Sequence, residues 1–284
     1  MKFFVLGANG MAGHTLSLYL TQEGHEVVGY AREPSRVCET VAGDAFETEK
    51  IQSVIEKGEF DAVVNCIGIL NKFVDKDLAT GIFVNSYFPH RIAKFCELCC
   101  CKFVHISTDC VFSGKSYGYT EDDIPDETSY YGRTKFLGEV TDGKHLTIRT
   151  SIVGPELKEK GIGLFHWFMG QKGEAYGYAN VMWSGVTTLE LAKAIRAAVN
   201  QNISGLYYLS NNTGISKYEL LKLFNRYCNK GRTNIIKSDK PISGKVLIST
   251  RKDFDYAVPD YESMIKEMGE WIVSHRSLYG RYFH

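Results

Sequence analysis

The stretch that decides the fold is Lys2-Phe3-Phe4-Val5-Leu6-Gly7-Ala8-Asn9-Gly10-Met11-Ala12-Gly13. It opens as a continuous apolar run of strand length. Glycines follow at once in a G-x-x-G-x-x-G spacing, and Met11 to Glu23 then reads as a helix through Leu16, Leu18 and Leu20. Glycine permits a tight turn, a close approach of backbone to a diphosphate, and close packing of helix on strand. The N–H groups that open the helix face an anion, aided by the helix dipole. Between a first strand and a first helix, this pattern points to a bound dinucleotide, with Gly7, Asn9, Gly10 and Met11 as candidate ligands.

Working outward, His25 to Tyr30, Asp61 to Ile67, Lys102 to Ile106 and Leu146 to Ile148 are further apolar runs. Helical patterns at 49–57, 89–101 and 130–140 alternate with them. Continuous rather than alternating strands mark a parallel sheet covered on both faces. Strand and helix in repetition predict a doubly wound α/β, or Rossmann, fold with right-handed crossovers. Near Gly154-Pro155 the pattern gives way to a stretch rich in Gly, Phe, Trp and Tyr. The expected division is a dinucleotide-binding part at 1–155 and 186–212, and a smaller substrate-binding part at 156–185 and 213–284. Helices are expected at 187–199, 218–228 and 261–274, with a short strand at 205–209. The aromatics and glycines of 156–185, with Trp183, suggest a mobile wall that closes over a substrate.

The 284 residues carry 33 Lys+Arg and 33 Asp+Glu, a balance that argues against any general grip on nucleic acid or an anionic membrane. At 44% hydrophobic and 23% charged residues, the chain is neither disordered nor fibrous. No apolar run approaches the roughly 20 residues that span a bilayer. The N-terminal run is too short for a signal peptide and no cleavage site follows it. Four of the eight cysteines crowd into Cys96-Glu97-Leu98-Cys99-Cys100-Cys101, without a second Cys/His pair at a finger-like distance. They read as buried thiols in a reducing compartment, so no metal site is expected and the expected location is the cytoplasm.

The end of the second strand chooses the cofactor. An acid there binds ribose hydroxyls, whereas a basic residue accepts a 2′-phosphate. The sequence reads Gly29-Tyr30-Ala31-Arg32-Glu33, with Ala31 where the acid belongs and Arg32 next to it. NADP(H) is favoured, and Glu33 keeps NAD(H) open. Asp44, after Gly43, is placed to meet the adenine edge or to make a plain turn. Further on, Tyr131 and Lys135 stand at i and i+4 on one helix face. A fixed ammonium beside a phenol favours the tyrosinate and moves its pKa toward neutrality. Ser107-Thr108-Asp109 ends the fourth strand, at the edge where open α/β sheets bind ligands. Hydroxyl, phenol and ammonium thus converge beside the dinucleotide turn.

Together, the glycine turn, Asn65-Cys66-Ile67-Gly68, Asn85, Ser107-Thr108-Asp109 and Tyr131-x-x-x-Lys135 resemble an extended short-chain dehydrogenase/reductase. More narrowly, Ser107 to Gly114 (STDCVFSG) and Tyr131 to Glu139 (YGRTKFLGE) resemble dTDP-4-dehydrorhamnose reductases and related nucleotide-sugar reductases. The resemblance is specific to residue 155 and then rests on Trp183 to Thr188 and the helix after it. It implies NAD(P)H-dependent reduction of the 4-keto group of a nucleotide-linked 6-deoxy-4-hexulose, in deoxysugar or polysaccharide biosynthesis. By the same resemblance Thr108 would bind the carbonyl, Tyr131 supply the proton and Lys135 hold the nicotinamide ribose. Cys66, Ile67, Gly68 and Asn85 would support the cofactor, while Asp109, Cys110, Val111 and Trp183 would face the substrate. The implied partner is the nucleotide sugar, with room for a homodimer.

Two alternatives stand beside this reading. Cys110 lies where the rhamnose enzymes usually carry tyrosine, two residues after Thr108, as in epimerising reductases resembling GDP-fucose synthase. His166 would then be a second proton donor. The regulatory β subunit of methionine adenosyltransferase resembles the same reductases and binds NADP as a partner protein. A dehydratase would need an Asp-Glu pair after the hydroxyl, and Asp109-Cys110 is not one.

Overall fold

The computed structural model describes residues 1–283. The chain begins with β1 (Lys2–Leu6), α1 (Met11–Gln22), β2 (Glu26–Ala31) and β3 (Glu39–Ala42). Next come α2 (Thr48–Gly58), β4 (Ala62–Asn65), α3 (Asn71–Lys76), α4 (Leu78–Ile82) and a π-helical turn at Phe83–Tyr87 that runs into α5 (Phe88–Leu98). β5 (Lys102–Thr108), α6 (Tyr130–Leu137), β6 (Leu146–Thr150) and β7 (Ile152–Val153) follow. The chain continues through α7 (Leu164–Met169), β8 (Glu174–Tyr178), β9 (Met182–Trp183), β10 (Val186–Thr187), α8 (Thr188–Asn200) and β11 (Gly205–Tyr208). Its last part holds β12 (Ile215–Ser216), α9 (Lys217–Tyr227), β13 (Asn234–Ser238), α10 (Tyr261–Ser274) and α11 (Arg276–Tyr279).

Seven strands form one sheet in the order β11-β6-β5-β4-β1-β2-β3, with every neighbouring pair parallel. The chain winds outward from β1 to β3 and then crosses back to place β4 on the other side of β1. That reversal is the topological switch point of a Rossmann fold. Leu6 stands opposite both Tyr30 and Asn65, and Asn65 stands opposite His105. The carboxyl ends of four strands therefore open on a single edge. Whatever side chains end β1, β2, β4 and β5 must meet there.

The continuous apolar run of β1 has a direct cause. Phe3 and Val5 join the core beneath α1, α8 and α10, while Phe4 and Leu6 join the core beneath α2 and α5. All four side chains are completely buried, so neither face of the strand is left for polar residues. Outside the main sheet, β8 pairs with β13, β9 with β12 and β7 with β10.

Periodicity in the sequence marks no element at 68–88 and no strand at 234–238. The first stretch holds α3, α4 and the π-helical turn, built around buried Val74, with Asp77 accepting from the Thr80 N–H at 3.1 Å to cap α4. β13 is half-buried and carries only weak alternation, which hides it from a periodicity argument. The cysteine cluster, expected from its place at a helix end to be buried, is not uniformly so. Cys96 and Cys101 are buried, but Cys99 is half-buried and Cys100 is exposed, with left-handed backbone where α5 ends.

Behind the end of β5 lies a buried ion pair. Arg149 donates through Nε to Glu139 at 2.6 Å and through Nη2 to the other carboxylate oxygen, and Ser107 donates to the same carboxylate at 2.6 Å. Both charged side chains are only 3% exposed, so removing one strands the other in a dry site. Arg149→Leu should cost about 3–5 kcal/mol in urea unfolding, and most of that loss should return in an Arg149→Leu/Glu139→Leu double variant. A single-variant loss near the ~0–1 kcal/mol of a surface pair would mean that water reaches the carboxylate.

Candidate active site

The glycine turn adopts its shape because no side chain fits inside it. Gly7 has φ +82°, and a Cβ on Gly13 would lie 2.2 Å from the Gly7 carbonyl oxygen. The N–H groups of Gly7 and Ala8 donate to the Tyr30 carbonyl at 2.8 and 3.2 Å, tying the turn to the end of β2. Gly10 sits at the N-cap of α1, where no side chain caps the helix. The opening turn of α1 is therefore built to receive an anion.

This turn floors a cleft of about 660 Å³. Of the expected cofactor ligands, Gly7, Asn9, Gly10, Arg32, Asp44, Cys66, Ile67 and Gly68 line it. A size of several hundred cubic ångströms suits a ligand of dinucleotide class. Several of these residues also have local duties. Asn9 donates to the Glu33 carbonyl at 2.7 Å, and Asp44 accepts from the Phe46 N–H at 3.2 Å, holding the turn before α2. Arg36 and Phe46 line the same cleft and were missed by the sequence reading; Phe46 stacks on Phe83 at 4.6 Å. Arg36 follows Arg32 by one helical turn's spacing in a loop, a position with no motif attached to it.

At the other end of the edge, Thr108 finishes β5. Its hydroxyl donates to Asp109 Oδ1 at 3.1 Å, accepts from the Cys110 N–H at 3.1 Å and meets the Tyr131 hydroxyl. Ser129 caps α6 by accepting from the Gly132 N–H at 3.3 Å, which places Tyr131 in the first turn and Lys135 one turn later. A Cβ on Gly132 would lie 2.5 Å from the Cys110 carbonyl, and one on Gly138 would lie 1.9 Å from the Asn85 carbonyl. The first contact clamps α6 against the end of β5, and the second clamps it against the π-helical turn.

The three side chains are all buried, and burial sets their acid–base character. It pushes the Tyr131 phenol above its usual pKa, with Cys110 and Asp109 adding to the rise and the Thr108 hydrogen bond opposing it. It pulls the Lys135 ammonium down to about 8, against the opposing charge of Glu139. The expectation that Lys135 favours tyrosinate by proximity is corrected here. Lys135 Nζ donates to the Ile106 carbonyl at 2.8 Å and lies 3.3 Å from His105 Nε2, and burial raises the phenol rather than lowering it.

The neighbours of Lys135 reinforce its shift. The Ile67 N–H donates to Asn65 Oδ1 at 3.0 Å, so Asn65 Nδ2 donates to His105 Nδ1 at 3.1 Å. The neutral, buried His105 ring then carries its proton on Nε2, facing the lysine nitrogen. Burial and this N–H both favour the uncharged amine.

Other expected site residues have structural positions. Asn85 is buried, accepting from the Ile69 N–H at 2.8 Å and donating to the Ile69 carbonyl at 2.9 Å and to Thr134. It pins the 67–69 turn to α6 and does not line the cleft. The Val111 side chain is fully buried with Phe112, Tyr119, Tyr208 and Leu247, so it does not face a ligand. Trp183 is a core residue packed on Tyr261 at 5.8 Å, not a mobile wall. Met11 begins α1, and the 156–163 loop passes over it, since a Cβ on Gly163 would lie 3.2 Å from Met11 Sδ. Asp109, buried, and Cys110, half-buried, follow Thr108, and desolvation raises both pKa values, the thiol to about 12. Lys245, unmarked in the sequence reading, acts on both electrostatically and donates to Glu127 at 3.2 Å. His166 has Nδ1 against the Tyr282 hydroxyl at 2.8 Å and Nε2 against the Glu159 carbonyl at 3.2 Å. No helix among the described residues is long and apolar enough to cross a membrane.

The buried lysine makes a pH-dependent prediction. The folded protein bears the cost of a desolvated ammonium at every pH below about 8, and sheds it as the pH rises toward the ordinary value of 10.5. Lys135→Met should therefore melt above wild type at pH 7, with an advantage that shrinks between pH 8 and 10.5. Melting curves across that range check this, and an advantage independent of pH would contradict it.

A family profile described as the RmlD substrate binding domain matches residues 1–244. The Probable low-salt glycan biosynthesis reductase Agl14 of Haloferax volcanii is 35% identical over 147 residues, covering 49% of this chain and 48% of that protein. The chain thus spans about half the length of that curated relative. The Spore coat polysaccharide biosynthesis protein SpsK of Bacillus subtilis is 28% identical across 77% of this chain and 76% of its own. The crystal structure of dTDP-4-dehydrorhamnose reductase from Bacillus anthracis, in complex with NADP, shares the fold at a TM-score of 0.77 and 20% identity, covering 94% of this chain and 98% of that one. By the match over residues 1–244, the chain belongs to the RmlD substrate binding domain family.

Proposed function

We propose that the protein is an NAD(P)H-dependent oxidoreductase that reduces the 4-keto group of a nucleotide-linked 6-deoxy-4-hexulose. The observation that carries this reading is the pairing of the Thr108 and Tyr131 hydroxyls, with Lys135 one turn beyond, on the edge that also holds the glycine-turn cleft. The relatives named for glycan and polysaccharide biosynthesis support a role in building such sugars. Its place is the cytoplasm, the compartment suited to a chain whose eight cysteines are all free.

The cleft fits a nicotinamide dinucleotide: the Gly7 and Gly13 positions leave room for backbone alone, and the uncapped start of α1 suits a diphosphate. When bound, the nicotinamide supplies the hydride. The chain supplies orientation and a proton. The Thr108 hydroxyl positions the substrate carbonyl. The Tyr131 phenol, raised by burial, keeps its proton at neutral pH and yields it to a strong base such as a developing alkoxide. Such a phenol is an acid, which suits reduction. Lys135 would hold the nicotinamide ribose. The epimerising alternative loses support because the Cys110 thiol is pushed up to about 12 and both His166 ring nitrogens are engaged.

Tyr131→Phe removes one hydroxyl and should leave fold and cofactor affinity in place. A positioned general acid contributes about 10²–10⁴-fold, so kcat for a 4-keto sugar nucleotide should fall by that factor. Near-normal turnover would place the proton donor elsewhere.

NADP(H) is the favoured form, because Arg32 and Arg36 both line the cleft near the end of β2. A charge-assisted contact to a 2′-phosphate contributes about 1.5–3 kcal/mol, roughly ten- to a hundredfold in Kd. Arg32→Ala should weaken NADPH binding by that factor and leave NADH nearly unchanged in fluorescence titration. Equal losses for both would refute the 2′-phosphate assignment.

A further inference from the structure

The end of the described chain returns to the glycine turn. The Tyr279 hydroxyl meets His14 Nε2 at 2.9 Å, and both side chains are completely buried. His14 belongs to the opening turn of α1, with Nδ1 on the Gly10 carbonyl at 2.8 Å. Three residues after Tyr279, the Tyr282 hydroxyl accepts from the Glu156 N–H at 2.9 Å and also meets His166. Two buried tyrosines thus fasten the 279–282 turn to both α1 and the 156–163 loop.

Arg281 lies between those anchors. Its Nη2 donates to the Leu157 carbonyl at 2.6 Å, and its Nη1 is buried with no hydrogen-bond partner. No carboxylate lies within ion-pair distance of it among the described residues. Arg281 lines the same cleft as Gly7 and Gly10. The loop that carries Leu157 crosses Met11 at the start of α1, so the guanidinium stands on the wall above the anion-receiving helix end. A guanidinium with an unpaired buried N–H is costly to keep, and a doubly ionised oxyanion is the group that matches its planar donors.

We propose that Arg281 is a ligand for a diphosphate ester, namely the diphosphate of the dinucleotide held by the glycine turn. This rests on the cleft being a dinucleotide site. The backbone N–H groups of α1 grip the diphosphate from one side, and the Arg281 side chain closes on it from the other. The last turn of the chain, assigned by sequence to the substrate-binding part, is then part of the cofactor site. The same chemistry would also fit the diphosphate of a sugar nucleotide, and the test separates the two.

The experiment measures binding of NADP+, NAD+, adenosine 2′-monophosphate and thymidine diphosphate by calorimetry to wild type, Arg281→Met and Arg281→Gln. Thermal melting controls for folding, and Arg281→Gln retains a donor for the Leu157 carbonyl if the methionine variant is unstable. Expected is a loss of roughly ten- to a hundredfold for both NADP+ and NAD+, with adenosine 2′-monophosphate, which lacks a diphosphate, unchanged. That pattern differs from an Arg32 variant, in which NADP+ and adenosine 2′-monophosphate weaken and NAD+ does not. Unchanged NADP+ and NAD+ affinity in a folded variant would overturn the proposal, as would a loss confined to thymidine diphosphate. If wild type binds neither dinucleotide, the reading of the cleft itself fails, a result distinct from failure at Arg281.

Discussion

Two places where helix α6 touches the rest of the chain leave no room for a side chain. One is Gly132 against the Cys110 carbonyl and the other is Gly138 against the Asn85 carbonyl. Tyr131 stands next to the first of these glycines and Lys135 between the two, so the distance from phenol to strand end is set by backbone packing on backbone. Backbone contacts of this kind relax little, since any Cβ at either point would drive the whole helix outward. The hydroxyl of Thr108, the phenol and the lysine depend on that seating for their mutual positions. The parallel register of β1, β4 and β5 then brings the glycine turn to the same edge.

Burial does the chemical tuning around this helix. One dry environment raises a phenol and a thiol and lowers an ammonium, because in each case the charged form loses its water. Glu139, held in place by Arg149 and Ser107, is the charge that limits how far Lys135 falls. His105 and Asn65 link the lysine to the N–H of Ile67, whose turn lines the cleft beside the glycine turn. The polar groups behind the site therefore form a connected set, from the cleft turn through His105 to helix α6. A satisfied buried network of this sort rigidifies a site.

Much of this was legible in the sequence, for reasons specific to each residue. The β1 run is continuous because Phe3 and Val5 serve one core and Phe4 and Leu6 another. The glycine turn and the Tyr131/Lys135 spacing are local patterns, fixed within a few residues. Trp183 and Val111 were misread because an aromatic or a valine near a motif looks the same whether it faces a ligand or a core; their partners Tyr261 and Leu247 are remote in sequence. Asn85 was read as a cofactor residue, yet its amide closes on Ile69 across sixteen residues. Arg281 and Lys245 carried no signal at all. Each reaches its place through tertiary packing, and only the tyrosines flanking Arg281 hint, in retrospect, at an anchored turn. The hydrogen bond from Lys135 to the Ile106 carbonyl is likewise a matter of side-chain direction, which i,i+4 spacing leaves open.

The central claim is that this edge transfers a hydride to a sugar nucleotide and completes the reduction with a proton from Tyr131. The most direct measurement incubates the protein with NADPH and a panel of nucleotide-linked 4-keto-6-deoxy sugars, following cofactor absorbance and product mass together. The account predicts that at least one sugar gains two hydrogens, with one NADPH oxidised for each molecule reduced. Tight NADPH binding without reduction of any sugar in the panel would contradict it, and would favour a protein that holds the cofactor without turning it over.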